Sequence, residues 1–320
     1  MKIAFIGVGG IAGNYRASLR RLERPIAGVC DINPDRSHEI AKEESARAYT
    51  DHTEMLAEIK PDVVFVCIPP GAHTSQVADA ARMGAAVFVA KPVALDLDTA
   101  RRTRDAIADA GVINQTGYMA RYSDMVEKAK EIVGDQALAM GNGRFLCRMG
   151  ATHPWWGKFA VSGGQMLEQT THVFDLLRYF LGDVERAQSF GIRGVSEGIA
   201  DFEECTVCNL SYQSGAVGSI TSSCVTGGED SFSAELFGDS FYLKLVLNCD
   251  LRGKIGDEAV QFQGEETGYF RQVEQFVAAV EANDQDLVRS DYVNGFKSLA
   301  VTVAANQSLA TGTVEKVCGD

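Results

Sequence analysis

No stretch of this chain stays apolar for long. Residues 63–68 form a purely apolar run, far short of the roughly 20 residues that cross a bilayer, so no membrane partner is expected. Met1 and Lys2 lead straight into Ile3 to Ile6 without the anatomy of a secretory leader, and the expected location is cytoplasmic. Basic excess is also missing. Thirty Lys and Arg stand against 43 Asp and Glu, a net charge of −13. A nucleic-acid binder needs a basic face to meet phosphates, so no nucleic acid is expected. No H-E-x-x-H or comparable ligand spacing appears, so no metal is expected. Gly194-x-Ser196-x-Gly198 has the letters of a nucleophile elbow, yet residues 199–204 lead into a strand-like run rather than a helix. The histidines are 38, 52, 73, 153 and 172, so none follows Ser196 as a hydrolase requires. Eight cysteines are scattered, and only Cys205-x-x-Cys208 forms a pair. That pair sits in an alternating run, where three apart means opposite faces; sheet packing in a reducing compartment is the expected use.

What remains is an ordinary globular composition, 46% hydrophobic and 23% charged. At 320 residues, about two domains are expected. Strand-like and helical patterns alternate through residues 2–116, which predicts a doubly wound parallel sheet. From about 187 to 262 short β-like runs follow without helices, the pattern of a largely antiparallel open sheet. The fold class is therefore α/β: an N-terminal Rossmann domain over 1–120, then an α+β domain over 121–320. Charge divides along the same line. Residues 1–122 carry 15 basic and 15 acidic side chains, and 123–320 carry 15 and 28.

Gly7-Val8-Gly9-Gly10-Ile11-Ala12 follows the first strand and opens the first helix. Gly7 allows the tight turn, Gly9 admits a pyrophosphate to the backbone, and Ala12 lets helix and strand pack. The helix start at Gly10 and Ile11 offers free N–H groups to phosphates. Asp31 ends the second strand, where a carboxylate accepts from ribose hydroxyls and repels a 2′-phosphate. The expected cofactor is NAD, with NADP kept possible by Arg36. Ile68, Pro69, Pro70 and His73 follow one strand and Lys91 another. In a doubly wound sheet both segments reach the ligand crevice.

Ser162-x-x-Gln165 is a capping-box pattern that predicts a helix over 165–181. At 100° per residue, Glu168, His172, Asp175 and Tyr179 form a polar stripe on an otherwise apolar helix. Ahead of it, His153, Trp155 and Trp156 could stack on a sugar ring and reach its hydroxyls, or plug a buried loop. Arg148 is a weaker candidate.

The set Gly7-x-Gly9-x-x-Ala12, Asp31, Pro69-Pro70-x-x-His73, Lys91-Pro92, Gly117-Tyr118-x-x-Arg121-Tyr122 and Gly163-Gly164-x-x-x-Glu168-x-x-x-His172-x-x-Asp175 resembles the Gfo/Idh/MocA family of NAD(P)-dependent oxidoreductases. The resemblance implies hydride transfer between the nicotinamide and an alcohol or ketone of a sugar, inositol or related polyol. Alcohol oxidation also releases a proton, which a His suits. His172 is the expected base, Glu168 its orienting acid, and Lys91 the stabiliser of alkoxide charge. Arg121 resembles a position near cofactor and substrate. Asp175 contacts substrate or fixes the helix. The resemblance also implies a homodimer or homotetramer through the second sheet. One departure stands out: Ala90 replaces the Glu that usually precedes Lys-Pro and contacts the nicotinamide-side ribose. It keeps open a non-catalytic nucleotide-binding regulator; NAD-dependent glycoside cleavage is a third reading.

Overall fold

A computed structural model describes residues 1–149, 155–228, 231–247 and 249–319. It divides into two compact units, 1–118 with 269–296, and 119–268 with 297–320. Residues 269–296 thus cluster with the first unit, whereas the expected division placed all of 121–320 in the second.

The first unit alternates β1 (Ile3–Ile6), α1 (Gly10–Arg21), β2 (Ile26–Cys30), α2 (Pro34–Glu44), β3 (Arg47–Tyr49), α3 (His52–Ile59), β4 (Val63–Val66), α4 (Gln76–Arg82), β5 (Ala86–Val89), α5 (Leu97–Ala110) and β6 (Asn114–Thr116). The strands are all parallel, in the order 3-2-1-4-5-6. Every residue of β1, β4 and β5 is buried, as a sheet covered on both faces demands. Phe65 stacks between Phe5 and Phe88, 4.8 Å from each. The late return has its cause here. Phe276 meets Phe65 and Phe88 edge-on, and Val273 and Val277 join the same core. Without this segment the aromatic row would lose its apolar cover.

The second unit holds α6 (Asp124–Val133), β7 (Leu138–Leu146), α7 (Phe159–Ser162), α8 (Gly164–Glu168), α9 (Thr171–Leu181), β8 (Val184–Ile192), β9 (Cys205–Tyr212), β10 (Val217–Ser223), β11 (Phe232–Gly238), β12 (Phe241–Val246), β13 (Asp250–Ile255) and β14 (Glu258–Gln263). The chain then supplies α10 (Tyr269–Ala282) to the first unit, α11 (Tyr292–Thr311) divided between both, and β15 (Glu315–Lys316) to the second. The nine strands run 14-13-12-11-7-10-9-8-15. All pairs are antiparallel except β7 with β10, so the sheet is mixed.

α9 packs against β7 and β11. Two glycines of β7 let it lie close. A Cβ on Gly143 would come within 2.2 Å of Val173, and one on Gly141 within 2.5 Å of Leu181. Cys205 and Cys208 share β9 but differ in burial, as alternation predicts. The loop at 194–198 is no elbow: the buried Glu204 carboxylate accepts the backbone N–H groups of Val195 and Ser196.

Candidate functional site

In the first unit the nucleotide residues meet at the carboxyl ends of the parallel strands. Gly7 sits at φ +82°, and a Cβ there would lie 2.4 Å from the Cys67 carbonyl oxygen. Only glycine allows that approach. Gly9 and Gly10 differ: a Cβ on either meets nothing within 4 Å. Gly9 caps α1 without a side-chain hydrogen bond, and no acid lies in the first turn. The N–H groups and positive end of a twelve-residue helix are thereby available to an anion. Asp31 is buried. Its Oδ2 accepts from Val8 N–H at 3.1 Å and its Oδ1 from Asn33 N–H at 2.9 Å, which fixes the loop and the acid together. The half-exposed Arg36 lies 3.7 Å from Oδ2. These residues fit a dinucleotide: an open glycine surface for pyrophosphate, and a fixed carboxylate for ribose.

Ile68, Pro69 and the 3-10 turn Pro70–Ala72 lead from β4 to His73. His73 is buried, and burial lowers its pKa to about 4 despite a hydrogen bond to the Ile68 backbone. It is therefore neutral at pH 7, and its Nε2 has no hydrogen-bond partner. Lys91 is half-buried just beyond β5. Ala90 is buried in the core of this unit.

In the second unit the expected single helix over 165–181 is broken. α8 ends at Glu168 and α9 begins at Thr171. At the break, Thr170 N–H bonds back to Gln165 at 3.0 Å, and His172 N–H only to Gln169 at 3.3 Å. An i−5 bond followed by an i−3 bond interrupts the regular ladder, as π-like irregularities do at functional sites. Thr170 Oγ1 lies 2.6 Å from Ser222 Oγ, which holds the break against β10. The expected capping box is absent as well. Gly163 adopts φ +73° and starts α8 without a side-chain cap, and Gln165 instead donates towards Cys147 Sγ and the Ser223 carbonyl. The single-helix angles therefore do not carry across residues 169 and 170.

Glu168 and His172 are both buried, at 6% and 7% exposure, on the two sides of this break. Gln169 Nε2 donates to Glu168 Oε2, and the His172 ring packs on Phe232 with centroids 5.7 Å apart. From Asp175 onward the polar face continues, but inward. Arg121, on the 3-10 turn Met119–Tyr122, gives Asp175 two hydrogen bonds, Nε to Oδ2 at 2.8 Å and Nη2 to Oδ1 at 2.7 Å. Burial opposes the Arg121 charge, but Asp175 outweighs it and raises the pKa. Tyr179 takes Arg121 over its ring at 4.7 Å and Lys130 Nζ at 4.1 Å. Burial and the repulsion of Arg121 lower the Lys130 pKa.

The tryptophans divide. Trp155 lies half-buried in a turn, whereas Trp156 packs against Met149, Phe202 and Cys224 with its Nε1 buried and unpartnered. That packing fits the loop-plug alternative for Trp156. His153 lies outside the described residues, and Arg148 forms a bridge to Val225. Pattern reading did not single out Arg178 and Ser298, which join Asp175. Arg178 had a signal, its position three after Asp175; Ser298, 123 residues further on, had none. No group of three or more His, Cys, Asp or Glu suited to a metal occurs among the described residues.

Residues 1–118 match the model of an oxidoreductase family with an NAD-binding Rossmann fold, and residues 126–243 match the C-terminal domain model named GFO/IDH/MocA. Myo-inositol 2-dehydrogenase of Thermotoga maritima is 27% identical, covering 97% of this chain and 96% of its own. The NAD(+)-dependent scyllo-inositol 2-dehydrogenase of Bacillus subtilis is 26% identical over 74% and 71% of the two chains. A WlbA dehydrogenase from Bordetella pertussis, solved with NADH and UDP-GlcNAcA, superimposes with a TM-score of 0.84 at 22% identity, covering 100% and 99% of the chains, and shows the shared fold. With its NAD-binding Rossmann unit and its mixed-sheet second unit, the chain belongs to the Gfo/Idh/MocA family of NAD-dependent oxidoreductases.

Proposed function

We propose that the chain interconverts a secondary alcohol and a ketone on a sugar, inositol or related polyol, with NAD as the redox partner. The observation that carries this reading is the pair Glu168 and His172, buried on either side of a helix break. Bound NAD supplies the hydride acceptor. In the alcohol-oxidising direction the O–H proton would go to an imidazole nitrogen of His172. Glu168 orients that ring and balances the imidazolium. Lys91 Nζ stabilises the developing alkoxide oxygen. In the first unit Gly7, Gly9, Gly10, Ile11 and Ala12 would hold the pyrophosphate and Asp31 the adenosine ribose, and Ile68, Pro69, Pro70 and His73 would line the nucleotide's path. Trp155 and His153 remain the proposed substrate contacts. Arg36 beside Asp31 supports tolerance of NADP.

Two further features belong to this reading. Phe190 and Ile192 are 60% and 57% exposed, and Phe190 pairs across the sheet with exposed Val207. That apolar surface supports a homodimer or homotetramer. Eight free cysteines support a reducing cytoplasm. No helix among the described residues is long and apolar enough to cross a membrane.

The test is a panel of inositols and sugars with NAD or NADP, read by NADH formation and thermal shift. Polyol-dependent NADH, lost in His172→Ala with NAD binding intact, supports the proposal. NAD binding without NADH from any polyol favours the regulator, consistent with Ala90. Aglycone release from glycosides without net NADH favours glycoside cleavage.

A further inference from the structure

We infer that Arg121, Asp175 and Ser298 are positioning residues that lock α9, and with it His172, rather than a clamp on substrate; this rests on the dehydrogenase reading. Both Asp175 oxygens are already engaged within the protein. Oδ2 takes Arg121 Nε at 2.8 Å, while Oδ1 takes Arg121 Nη2 at 2.7 Å and Ser298 Oγ at 2.8 Å. The Arg121 and Asp175 side chains are 3% and 1% exposed, so a substrate hydroxyl would have to displace a bidentate, desolvated pair.

The chain of ties extends along the helix. Arg178 Nη1 donates to Ser298 Oγ at 2.9 Å, and Arg178 Nη2 to Asp183 Oδ1 at 2.5 Å. Lys297 Nζ donates to Asp183 Oδ2 at 2.6 Å. α9 is thus tied by Arg121 from the Met119–Tyr122 turn and by Ser298 and Lys297 from α11, while its apolar face lies on Gly141 and Gly143 of β7. The break at Gln169 and Thr170 explains why such ties are needed. α9 does not inherit its rotation from α8 through an unbroken hydrogen-bond ladder, so side chains must set it. Asp175 lies three residues from His172, on the adjoining turn. Any roll of α9 that follows loss of the pair displaces the imidazole.

The experiment uses the full chain with NAD and its best polyol, comparing wild type with Asp175→Asn, Arg121→Met, Arg121→Lys and Ser298→Ala. Misplacement of a base by about 1 Å costs on the order of 100-fold in rate. Asp175→Asn and Arg121→Met are expected to lower kcat by 10- to 100-fold, with KM for the polyol within about threefold. Arg121→Lys should recover part of that loss, and Ser298→Ala, which removes the hydroxyl's bonds to Asp175 and Arg178 but leaves the Arg121 pair in place, should show the same effect more weakly. A KM rise above tenfold with kcat unchanged would show a substrate contact and overturn the inference. So would unchanged kcat in a variant that is merely less heat-stable.

A second readout needs no turnover. In protein labelled with 15N-histidine, the His172 ring signals, assigned through His172→Gln, should move in Asp175→Asn and Ser298→Ala while those of the other histidines stay. Moved signals in a chain that oxidises no polyol would sink the dehydrogenase reading and leave the lock; unmoved signals would sink the lock in an active enzyme. If Arg121→Met fails to fold, Ser298→Ala still decides.

Discussion

The two units build their chemistry from different materials. The first offers mainly its backbone: Gly9 and Gly10 leave it open, Gly7 packs it against the Cys67 carbonyl, and the Asp31 carboxylate is fixed by the N–H groups of Val8 and Asn33. The second works through side chains gathered from distant segments. Arg121, Asp175 and Ser298 span 177 residues of sequence, yet meet within hydrogen-bond distance. Backbone recognition compresses into a short motif, because neighbouring residues make the turn. A side-chain network does not, because only packing brings its members together.

The largest expected effect lies in the second unit. His172→Ala should lower kcat by about 10²- to 10⁴-fold, the range for losing a general base, without weakening NAD. Equal loss of NAD affinity would blur the division of labour between the units. Next is the stability of the buried pair. Asp175→Leu takes the carboxylate from a buried guanidinium and should cost about 3–5 kcal/mol in chemical denaturation. Replacing both partners by apolar residues should restore much of it, and failure to do so would show that shape rather than charge dominates.

The first unit has a pH dependence of its own. His73 titrates at about 4 in the folded chain against 6.5 when exposed, so the unfolded state binds the extra proton first. Stability is therefore full above pH 6.5 and is lost as pH falls towards 4. The whole loss is about 3 kcal/mol, at 1.36 kcal/mol per pH unit. A His73→Phe chain should lack that slope over the same window, and an unchanged slope would place its origin elsewhere.

The smallest effects separate the glycines. Gly7→Ala must push against the Cys67 carbonyl at positive φ and should destabilise the fold by about 2 kcal/mol. Gly9→Ala meets nothing, so stability should hold within about 0.5 kcal/mol. NAD should nevertheless bind roughly tenfold more weakly, about 1.4 kcal/mol, by calorimetry. If both substitutions affect only stability, the open surface over Gly9 is not where the pyrophosphate lies.

Legibility follows the same divide. The parallel sheet could be read because apolar runs such as 63–66 repeat between helical patterns, and both faces of such strands are buried. Cys205 and Cys208 differ in burial for the same local reason, period-two alternation. The continuous helix over 165–181 failed because periodicity sees side chains, not the hydrogen-bond ladder. Nothing in Gln169-Thr170 announces that Thr170 will bond to Ser222. The late return of 269–296 to the first unit was invisible because α10's apolar face could have covered either sheet.

The sequence alone determined the family and the glycine loop, and it brought Glu168 and His172 forward as the proposed acid and base, since each is carried by residues at short spacing. Tertiary structure decided which partners Asp175, Arg121 and Trp156 meet. A carboxylate of identical local pattern can face a ligand or a guanidinium. The choice depends on which donors packing delivers from elsewhere in the chain. Here Arg121 and Ser298 arrive first and take both oxygens.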